Sequence, residues 1–361
     1  MSTQEQDREL VSSVGGLAST VAIETGGELG ETEAIRARGY WEQVWIRFRR
    51  DKAAIAGGIF IIFLLITAYG GAPLASHLLG HGPNDQLIVS AIDPDTGSPV
   101  GPLTRIISDP SGLCPPAPEH CAKTLYILGS DSTLGRDEFL RLLYGAQVSL
   151  EVAIGATIVS MLVGVLLGSI AGYFGGWVDM IVSRLTEIVM AFPFLLFVVA
   201  LSSTVGQRLN NITLGGIIQP GVFTLVAVIG LFSWFYPARI VRAQVLSLRE
   251  KEFVEAARMV GASDFRIIRS HLLPHLVAPI IVYSTLIVAQ NILFEAGLSF
   301  LGVGIPLPTA SWGNLLEQAP QYYTAQPWLM LWPGLAVLLA TLAFNLLGDG
   351  LRDAFDPRSS H

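Results

Sequence analysis

The chain has 361 residues, of which 51% are hydrophobic and only 14% are charged, and its mean hydropathy is +0.54. A soluble domain of this length does not need so apolar a composition, so the chain is predicted to be an integral, polytopic membrane protein. Its net charge of -7 offers no basic surface that would favour nucleic acid as a partner.

The first 35 residues are polar and rich in Gly, Glu and Thr. They do not resemble a signal peptide, because they contain no short apolar core followed by a cleavage site. We expect residues 1–35 to form a disordered tail on the cytoplasmic side of the membrane.

Six apolar segments lie along the rest of the chain. A bilayer core about 30 Å thick needs roughly 20 apolar helical residues to cross it, and these segments reach or approach that length. They cover residues 54–73, 148–172, 186–205, 222–240, 277–296 and 328–348. The sequence therefore predicts an all-α fold with six transmembrane helices.

The distribution of Lys and Arg predicts the orientation, because positive charge collects at the cytoplasmic flanks of membrane helices. Basic residues crowd 36–52 and 242–269, whereas 305–327 contains no Lys or Arg. Both termini are therefore predicted to be cytoplasmic. The predicted parts are an interfacial segment with the first helix (36–73), an extracytoplasmic loop (74–146), a core of five helices (147–348) that includes a cytoplasmic loop (249–274), and a cytoplasmic C-terminus (349–361).

The predicted extracytoplasmic loop is rich in Pro, Gly and Asp and holds the only two cysteines, Cys114 and Cys121. On the oxidising side of a membrane, two cysteines so close in sequence favour a local disulfide. Two free thiols are one alternative. A metal site that includes His120 is another, although further ligands are lacking nearby.

The cytoplasmic loop is too polar to lie in lipid, and its pattern predicts a helix, a sharp turn and a second helix. Residues 251–260 are good helix formers, Gly261 supplies a stop, and Ser263 or Asp264 can cap the second helix. The paired alanines Ala256–Ala257 remove bulk at one point of the first helix, so another protein could approach its backbone closely. The loop is therefore predicted to be a docking element.

The loop resembles the EAA signature of ABC importer permeases. The resemblance lies in Glu255-Ala-Ala257, in Gly261 four positions on, and in Leu273-Pro274. It implies a coupling helix that sits in a groove of an ATPase subunit and turns closure of the ATPases into rocking of membrane helices. The residues to which this coupling role is carried over are Glu255, Ala256, Ala257, Gly261, Ser263, Asp264, Leu273 and Pro274.

Three further blocks are similar to the dipeptide, oligopeptide and nickel permeases, and their order is that of the C-type subunit. The first contains Gly129, Asp131, Gly135, Arg136 and Asp137, with one extra residue between its halves. The second contains Glu295, Ser299, Gly302, Trp312 and Gly313. The third contains Asn345, Gly348 and Asp349. The resemblance spans about residues 36–358.

This resemblance implies the type I ABC importer permease fold in a prokaryotic inner membrane. It implies a sister permease subunit, two ABC ATPase subunits, an extracytoplasmic substrate-binding protein and membrane lipid as partners. The chain has no Gly-x-x-x-x-Gly-Lys-Ser/Thr loop, so we expect ATP and Mg to be bound by the ATPases and no enzyme activity, cofactor or metal in this chain. Peptides are the expected cargo, with nickel chelates or glutathione as alternatives.

An ion-driven secondary transporter is the rival hypothesis from another class. It would show paired repeats and broken helices that carry ion ligands near the bilayer midplane, and neither is clear in the sequence. A membrane enzyme is a third possibility, but no set of acid, base and nucleophile is evident.

Several polar or kinking residues near the apolar segments have two interpretations each. Glu295 could serve a pathway or gate, but we favour a hydrogen-bonded residue at a helix end that contacts the Ser-Trp-Gly loop. Arg184 and Glu187 are interpreted as an interfacial pair rather than a substrate clamp. Pro193 and Pro237 are predicted to kink their helices, and motion and packing explain them equally well.

Overall fold

The computed structural model describes residues 39–87, 91–93, 96–107, 123–132, 134–209 and 219–356. The predicted tail and both cysteines lie outside these residues, so the tail and the disulfide stay predictions. The described helices are α1 (Tyr40–Phe48), α2 (Lys52–Ile66), α3 (Ala72–Leu79), α4 (Glu138–Phe174), α5 (Gly176–Ala191), α6 (Phe194–Leu209), α7 (Val222–Ser233), α8 (Phe235–Leu248), α9 (Glu252–Met259), α10 (Asp264–Arg266), α11 (Leu273–Phe300), α12 (Trp312–Gln318) and α13 (Trp328–Phe355).

Among the described residues, four continuous helical stretches are long and apolar enough to cross a membrane. They are Lys52–Leu79, Glu138–Phe174, Asp264–Phe300 and Trp328–Phe355. In the first of these, a π-helical turn joins α2 to α3, and in the third another π-helical turn joins α10 to α11. Two further spans are bent pairs: α5 with α6 at 82°, and α7 with α8 at 41°. The predicted all-α fold is confirmed, and the predicted six spans are reached when each bent pair counts as one.

The bends lie where the sequence predicted kinks. Pro193 falls between α5 and α6, and Pro237 is in the first turn of α8, directly after the break at Trp234. A proline lacks the backbone N–H that a continuous helix requires at that position, so the helix breaks or bends next to it.

The longest helix, α4, begins at an aspartate cap and packs along α7, α8 and α11. The Asp137 carboxylate Oδ1 accepts hydrogen bonds from Phe139 N at 2.8 Å and Leu140 N at 3.2 Å, which satisfies two free amides of the first turn. Glycines let α8 approach closely: a Cβ on Gly168 would lie 2.5 Å from the carbonyl oxygen of Ala238. Small residues at helix contacts are a common means of packing helices in membranes.

Large apolar side chains cover the outer faces of the spans. Ile62 on α2 is 59% exposed, Leu162 on α4 is 67% exposed and Leu338 on α13 is 58% exposed. Such a surface is unfavourable in water and suits the hydrocarbon of a bilayer.

The segment between α3 and α4 contains a two-stranded antiparallel sheet of β1 (Thr104–Ile107) and β2 (Lys123–Tyr126). Its buried face contributes Ile106 and Tyr126 to a small apolar cluster with Leu87 and Ala91. The helical boundaries differ from those predicted, because α3 extends to Leu79 and α4 begins at Glu138. Both helices therefore enter the range 74–146 that was predicted to be loop.

Candidate functional site

The candidate site is the hairpin formed by α9 and the turn that leads into α10, residues 249–264, which we call the 249–264 link. Its helix α9 is amphipathic: Val254 is buried and Ala257 half-buried, whereas Glu255 and Ala256 are exposed. Glutamates occupy the first turn of α9 and Arg258 the last, which suits the helix dipole. One face of α9 therefore lies against the bundle and the other is free.

Gly261 makes the sharp turn of the link. Its φ is +84°, and its N–H donates to the carbonyl of Arg258 at 2.9 Å, while the Ala262 N–H donates to the carbonyl of Ala257 at 3.0 Å. These bonds close the C-terminal end of α9. A Cβ on Gly261 would meet nothing within 4 Å, so glycine is favoured by the left-handed backbone and not by lack of space.

The prediction that a side chain caps the helix after this turn, α10, was wrong. Ser263 occupies the N-cap position of α10 but makes no capping hydrogen bond through its side chain. Asp264 lies inside the helix, and its carboxylate accepts a hydrogen bond from a tyrosine on α4 instead. Tertiary contact has replaced the local bond that the sequence pattern suggested.

The tip of the link, and the residue that follows the link, present apolar side chains to solvent. Met259 is 79% exposed, Val260 90% and Phe265 71%. These side chains cluster around Gly261 in sequence and are flanked by charged residues. An exposed apolar group with a polar rim is typical of a surface that binds another protein.

Polar contacts attach the link to the end of α4. The Tyr173 hydroxyl donates to Oδ1 of Asp264 at 2.6 Å, and the guanidinium of Arg258 lies 5.3 Å from the centre of the Tyr173 ring. Nη1 of Arg249 donates to the carbonyl of Gly172 at 3.2 Å. Tyr173 itself is 5% exposed. The link is therefore held to α4 on both sides of α9.

An apolar cluster completes the attachment. Val254 of the link packs in one cluster with Val245 of α8, with Ile267 and Leu272 of the π-helical turn, and with Leu276 of α11. Arg242 of α8 forms an ion pair with Asp179 of α5. A displacement of α9 would therefore act on several membrane helices at once.

The remaining predicted residues of the link lie where α11 begins. Leu273 is half-buried and Pro274 is exposed at the start of that helix, directly after the π-helical turn that joins it to α10. The structure thus gathers the Glu-Ala-Ala run and Gly261 in one hairpin and places Leu273–Pro274 at the base of the following span.

The first family-motif block forms a buried ion cluster at the other end of α4. Oδ2 of Asp131 lies 2.6 Å from Nη2 of Arg136 and 2.9 Å from Nε of Arg141, and all three side chains are at most 1% exposed. Arg141 Nη1 also donates to the carbonyl of Pro308 at 3.1 Å. Gly129 and Gly135 have φ of +90° and +67° in the turns that bring these residues together.

The sequence analysis did not single out Arg141, although an arginine in the first turn of an apolar helix is a usable signal.

The sequence analysis did not single out His81 either. Its Nε2 lies 2.9 Å from Oδ2 of Asp137, and its ring stacks on Tyr126 with centroids 5.5 Å apart. Burial alone would lower the pKa of His81, but the hydrogen bond and the negative charge of Asp137 outweigh it, and the pKa is raised.

The second block surrounds a fully buried carboxylate. Glu295 accepts hydrogen bonds from Ser149 Oγ at 2.6 Å and Ser299 Oγ at 2.8 Å, and the Ser149 oxygen accepts from Trp312 N at 3.2 Å. A Cβ on Gly313 would lie 2.5 Å from the Cβ of Ser299, so the Trp-Gly segment packs tightly here. Glu295 therefore joins α4, α11 and α12, as the helix-end interpretation expected. Gly302, with φ of +75°, follows α11.

The third block lies on α13. Gly348 is buried, and a Cβ there would meet Oγ1 of Thr285 at 2.7 Å, so this glycine lets α13 pack on α11. Asn345 is half-buried and Asp349 is exposed. Among the residues that the structure describes, no group of three or more His, Cys, Asp and Glu side chains could hold a metal ion.

The fold and the link define a class: a polytopic helical membrane protein whose bundle carries a firmly attached, exposed hairpin. The chain belongs to the family described as the binding-protein-dependent transport system inner membrane component, whose model matches residues 164–361. A second model, the N-terminal TM domain of oligopeptide transport permease C, matches residues 39–88. The predicted family, an ABC permease of the C type, is confirmed.

Two relatives illustrate how far the similarity extends. The chain is 36% identical over 335 residues to the oligopeptide transport system permease protein OppC of Escherichia coli, covering 93% of this chain and 97% of the relative. It is 35% identical over 320 residues to the dipeptide transport system permease protein DppC of Alkalihalophilus pseudofirmus, covering 88% and 90%. Bent spans were one part of what the secondary-transporter hypothesis expected, and two are present, but the family is that of binding-protein-dependent transport.

Proposed function

We propose that this chain is the membrane subunit of an ATP-driven peptide importer and that the 249–264 link is its coupling element. The observation that supports the link's role best is its two-sided character. Its apolar tip at Met259 and Val260 is exposed, as is Phe265 directly after the link, whereas its base is bonded to α4 and packed on α8 and α11. A lever needs such a free end and such a fixed end.

The proposed assembly has a sister permease, two ATPase subunits and an extracytoplasmic binding protein. The ATPases bind ATP and Mg, and their closure moves the two links toward each other. Because each link is fixed to several helices, this motion rocks the two bundles and opens the space between them first to one side and then to the other. The 249–264 link and both termini are cytoplasmic in this proposal, and the segment between α3 and α4 is extracytoplasmic.

Peptides are the proposed cargo. The support is the function for which the relatives are named, since they are oligopeptide and dipeptide transport permeases. Nickel chelates and glutathione remain the alternatives for the same architecture. Competition binding of a tripeptide, a nickel chelate and glutathione to the partner binding protein decides between them.

The test of coupling uses two substitutions in the link. Gly261→Pro distorts the turn, and Glu255→Lys reverses a charge on the exposed face of α9. We expect both variants to insert into the membrane normally and to lose ATP-driven uptake of a labelled tripeptide by the complete transporter. Glu42→Lys on α1 is the matched charge-reversal control and is expected to transport normally.

Normal uptake by both link variants would refute the proposal that the link couples the ATPases to the membrane helices. A second measurement fixes the side of the membrane: a cysteine at Met259, which is 79% exposed, should react with an impermeant thiol reagent in inside-out vesicles and not in intact cells. Reaction from outside would overturn the orientation and with it the contact with the ATPases.

A further inference from the structure

A basic and aromatic patch lies where the first membrane-spanning stretch begins. It consists of Trp45, Arg49, Arg50 and Lys52, all of which are exposed, and we call it the basic patch. The guanidinium of Arg49 lies 5.9 Å from the centre of the Trp45 ring, within the range of a cation–π contact. The family-motif blocks and the 249–264 link do not include these residues, so the patch needs a separate explanation.

The positive charges of the patch are not neutralised within the described part of the chain. Among the ion pairs found there, none engages Arg49, Arg50 or Lys52 with a carboxylate. By contrast, the exposed Arg184 of α5 pairs with Glu187, with 2.7 Å between Nη1 and Oε2. The basic groups of the patch are therefore available for an anionic partner.

Asp51 is the acidic residue inside this basic run, and its carboxylate is engaged by the backbone. Oδ1 accepts hydrogen bonds from Ala53 N at 2.9 Å and from Ala54 N at 3.1 Å. These bonds cap α2 and stabilise the start of the span. The presence of Asp51 is thus explained by the cap, whereas the cap does not use the basic side chains beside it.

The patch is attached to the helix bundle. Nη1 of Arg47 donates to the carbonyl of Asp356, just beyond the end of α13, at 2.8 Å. The helix α2 packs on α13 as well, where a Cβ on Gly57 would lie 2.7 Å from the carbonyl oxygen of Ala343. The basic side chains therefore extend from a turn that is held in place, which lowers the entropic cost of binding a ligand there.

The length of the first span places the patch at the depth of the lipid headgroups. The stretch Lys52–Leu79 has 28 residues and is about 42 Å long at 1.5 Å per residue, whereas the hydrocarbon core of a bilayer is about 30 Å thick. This excess length lets the charged Lys52 end stay outside the hydrocarbon, as a charged group requires. Arg49 and Arg50 precede it directly, and Trp45, which is 57% exposed, is of a residue type enriched at this depth.

We propose that the basic patch binds the headgroup of an anionic phospholipid. The phosphate lies at Arg49, Arg50 and Lys52, whose guanidinium and ammonium groups donate hydrogen bonds to its oxygens, and the Trp45 ring lies beside the glycerol backbone. In the proposed orientation this lipid belongs to the cytoplasmic leaflet. Because Arg47 joins the same turn to the end of α13, the bound lipid also stabilises the contact between α2 and α13.

A competing occupant is the chain's own segment 1–35, in which acidic residues outnumber basic ones. Charge complementarity alone fits both occupants. The lipid is favoured because the patch adjoins the start of a span and includes an exposed tryptophan, two features that an acidic peptide would not require.

Photocrosslinking in the complete transporter tests the proposal. The transporter is reconstituted in phosphatidylcholine that contains a trace of phosphatidylglycerol or of phosphatidylcholine, each with the same photoreactive group at the start of an acyl chain. Crosslinked peptides are then mapped by mass spectrometry. We expect residues 45–60 to prefer phosphatidylglycerol by roughly fivefold for each of the three basic residues. Raising the salt concentration from about 0.1 M to about 1 M should remove most of this preference.

Two double variants show whether the patch itself is responsible. Arg50→Gln with Lys52→Gln should leave a preference of only about fivefold, whereas Arg50→Lys with Lys52→Arg keeps both charges and should keep the preference. The matched control is Arg105→Gln with Lys123→Gln, which removes one exposed arginine and one exposed lysine from β1 and β2. The control should behave as the wild type.

Equal reaction of residues 45–60 with the two lipids would overturn the proposal. Reaction with neither lipid would also overturn it, because a polypeptide such as segment 1–35 would then cover the patch. An equal loss of preference in the control variant would show that the net charge of the chain, and not the patch, attracts the lipid. The measurement needs neither ATP nor peptide, so its outcome is independent of the proposed function.

Discussion

Tyr173 and Asp264 are joined by a hydrogen bond of 2.6 Å that connects the last turn of α4 to the first turn of α10. The two residues are far apart in the chain, and the bond closes the base of the 249–264 link onto the longest helix of the bundle. Because α4 also packs on α7, α8 and α11, this bond lies on a short route by which the proposed motion of the link would reach the membrane helices.

Loss of the Tyr173 hydroxyl should weaken this route. In Tyr173→Phe the ring remains next to Arg258, but the bond to the Asp264 carboxylate is lost. A hydrogen bond to a charged group that is partly exposed to water contributes about 1 kcal/mol. We expect ATP hydrolysis by the complete transporter to continue while the number of peptides transported per ATP falls severalfold.

The matched control is Trp177→Phe, a conservative aromatic change at a side chain that is 70% exposed. It should leave the ratio of transport to hydrolysis unchanged. An unaltered ratio in Tyr173→Phe, measured in the same proteoliposomes, would show that force does not pass through this bond.

Backbone conformation, and not space, is expected to determine which residues position 261 accepts. Gly261 has φ of +84°, and a Cβ there would meet no atom within 4 Å. The free-energy cost of a side chain at this position is therefore the cost of holding a residue other than glycine in the left-handed backbone region, about 1–2 kcal/mol for most residues. Asparagine tolerates that region and valine does not. We expect Gly261→Asn to keep most peptide uptake and Gly261→Val to lose most of it, with equal amounts of protein in the membrane. Equal uptake by the two variants would contradict the role of the turn.

Close packing of α4 on α8 predicts a stability effect at Gly168. A methyl group there would lie 2.5 Å from the carbonyl oxygen of Ala238, and such overpacking costs about 1–3 kcal/mol. Gly168→Ala should therefore lower the unfolding temperature in detergent. Gly334→Ala is the control, because nothing lies within 4 Å of a Cβ at that position of α13, and it should be neutral or stabilising.

Local patterns in the sequence predicted much of this fold. The apolar segments indicated the spans, Pro193 and Pro237 marked both bends, and Gly261 marked the turn of the link. These features depend on neighbours in the chain, so composition and spacing suffice to find them. The size of each bend does not follow from a proline alone, because packing against other helices sets it.

Long-range contacts were not predictable in the same way. Two examples are the hydrogen bond between Tyr173 and Asp264 and the ion pair of Arg141 with Asp131. Each joins residues from different elements, and the spacing of residues along the chain does not predict such a contact. Ser263 shows the converse: its local pattern predicted a cap, but its side chain makes no such bond. The strands β1 and β2 have four residues each, too few for an alternating pattern to be distinguished from loop.

The pair of His81 and Asp137 predicts that stability depends on pH. Burial lowers the pKa of folded His81, but the Asp137 carboxylate 2.9 Å from the imidazole and the negative charge of Asp85 raise this pKa by more, so it lies above its usual value. The unfolded value is about 6.5. Since the folded state binds the proton more tightly, the stabilisation is complete below about pH 6.5 and is lost as pH rises through the raised pKa.

The unfolding temperature of the purified protein should therefore fall as the pH rises above about 6.5, and His81→Gln should flatten that fall. His77→Gln removes an exposed histidine from the last turn of α3 and should leave the slope as it is. If His81→Gln kept the wild-type slope, the pH dependence would arise elsewhere and the ion pair with Asp137 would contribute nothing measurable. A rise with pH in the wild type that His81→Gln abolishes would show that burial outweighs the carboxylate and that folded His81 is the weaker base.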